Sequence, residues 1–130
     1  MNQIARIPAA KPSQTDDLAA FCKAAGDALR LDILRVLRSD SFGVLELAQI
    51  FDMRQSGMSH HLKVLANAGL VSTRREGNSI FYRRSLPVSE QPWHRLHSQL
   101  LNELDGQPDD PQLAQAIAAV HAQRAELSRQ

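Results

Sequence analysis

The chain has 130 residues, 43% hydrophobic and 22% charged, with a formal net charge of +1, which is the profile of one ordinary globular domain rather than a disordered chain. No run approaches the roughly 18 consecutive apolar residues that span a bilayer, and Met1 to Pro12 holds no apolar core of signal-peptide length, so a cytoplasmic protein without membrane contact is expected. The one cysteine, Cys22, excludes an internal disulfide framework and a multi-thiolate metal site within one subunit.

Residues 1–14 carry Pro8 and Pro12 without apolar periodicity and read as a flexible N-terminal arm. Thr15 is the expected N-cap of a first helix, with Asp16 and Asp17 favourable in its first turn and Gly26 as its stop. Asp27 then caps a second helix, in which Leu29, Ile33, Leu34 and Leu37 form an apolar stripe. After a turn at 39–43, a short third helix is expected over Val44 to Phe51. Asp52 to Gln55 is a tight polar turn, and a fourth helix follows over about 55–68. It is apolar at Met58, Leu62, Leu65 and Ala66, polar at Gln55, Ser56, Ser59, His60 and Lys63, and closed by Gly69. The period then changes from helical to extended. Leu70 to Arg75 and Ser79 to Arg84 read as two strands joined by hairpin chemistry at Glu76-Gly77-Asn78. A fifth helix is expected over about 90–104, with Pro92 in its first turn, and Asp110-Pro111 opens an alanine-rich sixth. The fold class is therefore mainly α: a winged helix-turn-helix of five to six helices with one two-stranded hairpin wing.

The charge distribution says more than its total. Residues 54–84 hold six Lys/Arg and one acid, a local excess of +5, between flanks of −1 (residues 1–53) and −3 (residues 85–130). A basic middle on an otherwise neutral body is the footprint of a DNA-facing surface. A short helix followed by a tight turn and a polar-faced helix is the arrangement that lays the second helix in a major groove. Gln55, Ser56, Ser59 and His60 carry donors and acceptors for base edges, while Lys63 suits a phosphate. Arg74, Arg75, Arg83 and Arg84 at the hairpin suit phosphates or the minor groove, contacts that supply affinity and register rather than sequence. A polar face or a basic hairpin alone is more often merely solvated. Their succession within one short stretch is what points to double-stranded DNA.

The segments ALRLDILRVL (28–37), LELAQIFDMRQSGMSHHLKVLANAGLV (45–71) and RREGNSIFYR (74–83) resemble the ArsR/SmtB family of winged-helix repressors. The resemblance is strong from Phe21 to Arg84 and extends to the flanking helices by position. It implies a homodimer built from the first and C-terminal helices, paired recognition helices on a palindromic operator, and repression relieved by an effector. It also locates two sensor sites. One is a Cys-x-Cys before the third helix, whose positions here are Gly43 and Leu45, neither able to ligate a metal. The other pairs Asp-x-His with a distant His-x-x-His. This chain has His94 and His97 without the Asp-x-His, so they are at most half of a zinc site shared between subunits, against the plainer reading as surface or interface histidines beside Trp93. No cofactor is expected.

Cys22 reads as a packing residue, with a redox sensor as the sharper alternative. The sixth helix reaches the end of the chain with Leu113, Ile117, Val120 and Leu127 on one face, which suggests that residues 105–130 form a dimer contact or a linker. Some family members carry a methyltransferase-like domain after the winged helix. As the front of such a protein, the chain would answer to S-adenosylmethionine or a relative. The expectation is thus a non-enzymatic, sequence-specific repressor with its DNA-binding and dimerisation domain over residues 15–104, released by a small-molecule effector of unassigned identity. The alternative is a regulatory domain of a larger protein whose winged helix serves as a docking scaffold. The +5 segment counts against that alternative, and no nucleophile–base pair or phosphate loop supports an enzyme.

Overall fold

The computed structural model describes residues 13–129. Its elements in order are α1 (Gln14–Ala25), α2 (Ala28–Val36), α3 (Val44–Ile50), α4 (Gln55–Asn67), β1 (Val71–Glu76), β2 (Ser79–Arg84), α5 (His94–Asp105) and α6 (Pro111–Ser128). This is the expected class, six helices and one antiparallel two-stranded sheet. Most of the expected arm lies outside the described residues.

Helix α1 begins one cap earlier than expected. Ser13 Oγ accepts from Asp16 N–H (3.1 Å) while Ser13 N–H donates to the Asp16 carboxylate (3.2 Å), a reciprocal box that satisfies two end groups at once. Thr15 lacks this option, because the residue three further on is Leu18. Asp27 caps α2 as expected, accepting from Arg30 N–H at 3.0 Å. Helix α4 ends in a complete Schellman closure. Leu70 N–H reaches Leu65 C=O (2.9 Å), Gly69 N–H reaches Ala66 C=O (3.0 Å), and Gly69 takes φ +77°. Both leucines are fully buried, so the apolar contact that accompanies this motif is present.

The strands pair in register from Val71↔Arg84 to Glu76↔Ser79, one residue later on the first strand than the sequence suggested. Gly77, at φ +61°, opens the two-residue turn. Phe42 adds an isolated bridge to the outer edge of β2, exchanging both backbone bonds with Tyr82 (3.1 and 2.8 Å) and so tying the α2–α3 loop to the wing. Helix α5 starts four residues later than expected. Gln91 C=O is taken by His94 N–H (3.0 Å) in a tight turn around Pro92, so the helix proper starts beyond the proline.

One core joins these pieces. Phe21 and Ala24 of α1, Ile33 and Leu34 of α2, Leu47 of α3, and Met58, Leu62 and Leu65 of α4 are all buried and packed together. Burying four or five such side chains outweighs any local propensity in fixing where α4 sits. The sixth helix packs on the body of its own chain. Its Val120 is buried, Leu113, Ala116 and Ile117 pack on the same core, and the helix lies against α3 of its own chain. Only Leu127 of the expected stripe remains open, at 69% exposure.

Candidate nucleic-acid interface

Helix α4 is held by its apolar side and free on the other. Met58, Leu62 and Leu65 are buried, while Gln55, Ser56, Ser59, His60 and Lys63 are all exposed. None of those five side chains makes a hydrogen bond or ion pair with another described residue. An amphipathic helix whose polar face keeps its bonding capacity unspent can offer it to a ligand. Gly57, on the same first turn, lies against Met53. A Cβ there would come within 2.9 Å of Met53 Cε, so the glycine lets the turn and the helix start pack closely.

His60 and His61, adjacent in sequence, part ways in space. His61 is half-buried and receives a hydrogen bond at Nδ1 from Arg30 (3.1 Å), whose Nε and Nη2 also donate to Ala24 C=O (2.8 Å) and Lys23 C=O (3.1 Å). Arg30 thus ties the end of α1 to α4. Burial pushes the His61 pKa down, against the Asp27 charge and with that of Arg30, which favours the neutral ring whose Nδ1 accepts from Arg30.

The wing arginines divide by strand geometry. Successive side chains point to opposite faces, and near the body only one face is open. Arg83 is exposed, with Nε 3.3 Å from Ser72 Oγ. Arg84, expected to contact DNA, is turned inward. Its side chain is 12% exposed, it forks onto both Asp105 oxygens at 2.9 Å, and it reaches Leu34 C=O at 3.3 Å. It clamps the wing base to α2 and α5, and is removed from the candidate contacts. Farther out, both Arg74 and Arg75 are exposed, Arg74 with Glu76 at 3.3 Å. A cation the sequence reading passed over is Arg54, the exposed N-cap residue of α4. Its place immediately before the polar-faced helix was the available signal.

A helix-turn-helix domain family matches residues 25–74. The biofilm growth-associated repressor of Agrobacterium fabrum is 39% identical over 77 residues, covering 59% of this chain and 65% of that protein. The transcriptional activator HlyU of Vibrio cholerae is 36% identical over 80 residues, 59% of this chain and 74% of HlyU. The chain belongs to the ArsR/SmtB family of winged helix-turn-helix transcriptional regulators. Among solved structures, the homodimeric winged helix-turn-helix DNA-binding domain from Mycobacterium bovis superposes with a TM-score of 0.55 at 26% identity, covering 74% of this chain and 87% of that one. The ArsR/SmtB family is one of DNA-binding regulators rather than enzymes.

Gly43 and Leu45 stand at the start of α3, where Gly43 N–H donates to the Glu46 carboxylate at 2.9 Å in place of any ligand geometry. His94 and His97 share α5 but not an environment. His94 Nδ1 lies 3.2 Å from Gln91 C=O, whereas His97 is 1% exposed, edge-on to Phe21, with neither ring nitrogen bonded to a described residue. Within the chain His97 is therefore a core residue rather than a surface one. Among the described residues, no three His, Cys, Asp or Glu side chains gather as a metal cluster. Cys22 is exposed on α1. No described helix is long and apolar enough to cross a membrane.

Proposed function

We propose that the chain is a homodimeric, sequence-specific transcriptional repressor that reads a palindromic operator with α4 and grips phosphates with the wing. The observation that carries this reading is the unspent polar face of α4, with Gln55, Ser56, Ser59, His60 and Lys63 exposed, in a chain whose Arg54, Arg74, Arg75 and Arg83 are exposed as well. The matched relatives include both a repressor and an activator. Repression is favoured because a compact dimer seated in two successive grooves obstructs a promoter by occupancy alone. The dimer is assigned to α1 and α5, where Leu18 and Leu96 stay exposed. A small-molecule effector that is bound away from the Gly43–Leu45 positions completes the reading.

Mobility shift on fragments of the chain's own genomic neighbourhood, at two salt concentrations with random competitor DNA, tests it. One fragment held tightly through competition is expected. Equal, salt-erased binding to all fragments would leave only the electrostatic component and overturn the operator reading. Ser59→Ala should then weaken operator binding by roughly five- to tenfold, the cost of one base contact, and random-DNA binding by much less.

A further inference from the structure

One side chain outside the helix-turn-helix holds three of its parts. Arg124 lies near the end of α6, and its guanidinium forks onto Glu46, Nε to Oε2 at 2.7 Å and Nη2 to Oε1 at 2.6 Å. The same group donates to Asp40 Oδ2 (2.9 Å) and to Ser41 C=O (2.8 Å). It also stacks over Phe42, 5.0 Å from the ring centre, and reaches to within 5.8 Å of that of Phe81 on the wing. The contacts reach three different parts. Glu46 caps α3 through Gly43 N–H. Asp40, Ser41 and Phe42 are the loop that bridges to Tyr82. Phe81 is in β2.

Charge makes this a node rather than a decoration. Asp40 and Glu46 repel each other, and burial works against the ionisation of both. Hydrogen bonds nonetheless hold both carboxyls below their ordinary range, for Glu46 chiefly from Arg124 and for Asp40 chiefly from His121 and Ser41 N–H, with Arg124 adding its charge and its own bond. His121, one turn earlier on α6, adds a contact to Asp40 Oδ2 at 3.0 Å. A lysine in place of Arg124 could meet one carboxylate but not fork across both. Without a cation, the two acids separate, the α3 cap loosens, and the loop loses its hold on the wing edge.

We propose that Arg124 is a positioning residue for DNA recognition: through it, α6 fixes the α3 end and the wing relative to each other, and so aims α4. This rests on the operator reading above. Base-edge bonds need side chains placed to a fraction of an ångström, whereas phosphate contacts tolerate more. Loss of the brace therefore falls on specific binding first.

The test compares operator and random DNA for the wild-type chain, Arg124→Ala and Arg124→Lys, with thermal midpoints and amide exchange measured on the same samples. Expected for Arg124→Ala is about a tenfold loss on operator with less than about twofold on random DNA, and an intermediate loss for Arg124→Lys, which keeps the charge. Amides of residues 42–47 and Tyr82 should exchange faster while those of α2 do not. Equal losses on both DNAs would mean lost charge or lost folded fraction and would overturn the proposal, as would an unchanged ratio in a chain that melts lower. Should Arg124→Ala not fold, the ratio for Arg124→Lys decides alone. A wild-type chain that does not discriminate operator from random DNA would instead sink the operator reading itself.

Discussion

Two neighbouring arginines show how much one residue of register decides. Arg83 and Arg84 carry the same charge, yet β2 turns one to solvent and the other onto Asp105. Arg83→Ala should weaken operator and random DNA together and lower the salt slope by about one, with little effect on stability. Arg84→Ala should do the reverse. It strands a half-buried carboxylate and should cost about 2 kcal/mol, read as a thermal midpoint lowered by several degrees with an unchanged salt slope. If the two variants behaved alike in salt titration, the assignment of Arg84 as a clamp would be wrong. His97 makes a different prediction. Burial, reinforced by Arg84, pushes its pKa down, and so does burial at His61. The unfolded chain therefore takes up protons at a higher pH than the folded one. Stability should be complete above the ordinary imidazole value of about 6.5 and fall as pH drops below it. The carboxyls of Asp27, Asp40, Glu46 and Asp105 are all lowered, so their contribution is present above the ordinary carboxylate range and is lost only as pH falls through it. Denaturant melts at pH 7.5 and 5.5 should thus isolate the histidines, and His97→Phe should lose less stability between the two than the wild type. An identical loss in that variant would place the effect elsewhere.

Among the elements, α4 and its stop are the best specified. The spacing of Met58, Leu62 and Leu65 sets its buried face, and Gly69 supplies the left-handed residue that its closing bonds require. Gly69→Ala should lower stability by about 1–2 kcal/mol, because a Cβ at φ +77° is strained whatever the space around it. Gly69→Asn should cost less, since asparagine adopts that region more readily. Equal melting of the two variants would argue that backbone strain is not the cause. The fifth helix was legible in kind but not in its start. Pro92 was compatible with a first helical turn, and only the competing bonds to Gln91 C=O put the start beyond it.

For the whole molecule, the modest net charge conceals a division of labour. The basic segment, Arg84 apart, is exposed on α4 and the wing, while Asp40, Glu46 and Asp105 are paired with Arg124, Arg84 and Arg38. Acids that are paired inside the body do not repel DNA outside it, so the local excess rather than the total governs association. The interface proposed for a second copy lies on α1 and α5. Leu96 is 45% exposed there. Leu96→Glu should shift the sedimentation profile towards monomer and reduce operator binding well beyond its effect on a single half-site. A variant that stayed dimeric would move the interface away from α5.

The order of elements, the apolar face of α4, the hairpin and the basic segment were legible in the chain before folding, because each is written in local spacing: period near four, period two, a glycine where φ must be positive, charge by position. Only the packed fold shows which of two adjacent arginines faces solvent, that His97 lies in the core, and that Val120 of the α6 stripe is buried within the chain. These depend on what stands opposite a side chain, and the residues opposite are distant in sequence. Arg84 meets Asp105 across 21 positions and Arg124 meets Glu46 across 78. No periodicity in a single sequence records such pairs.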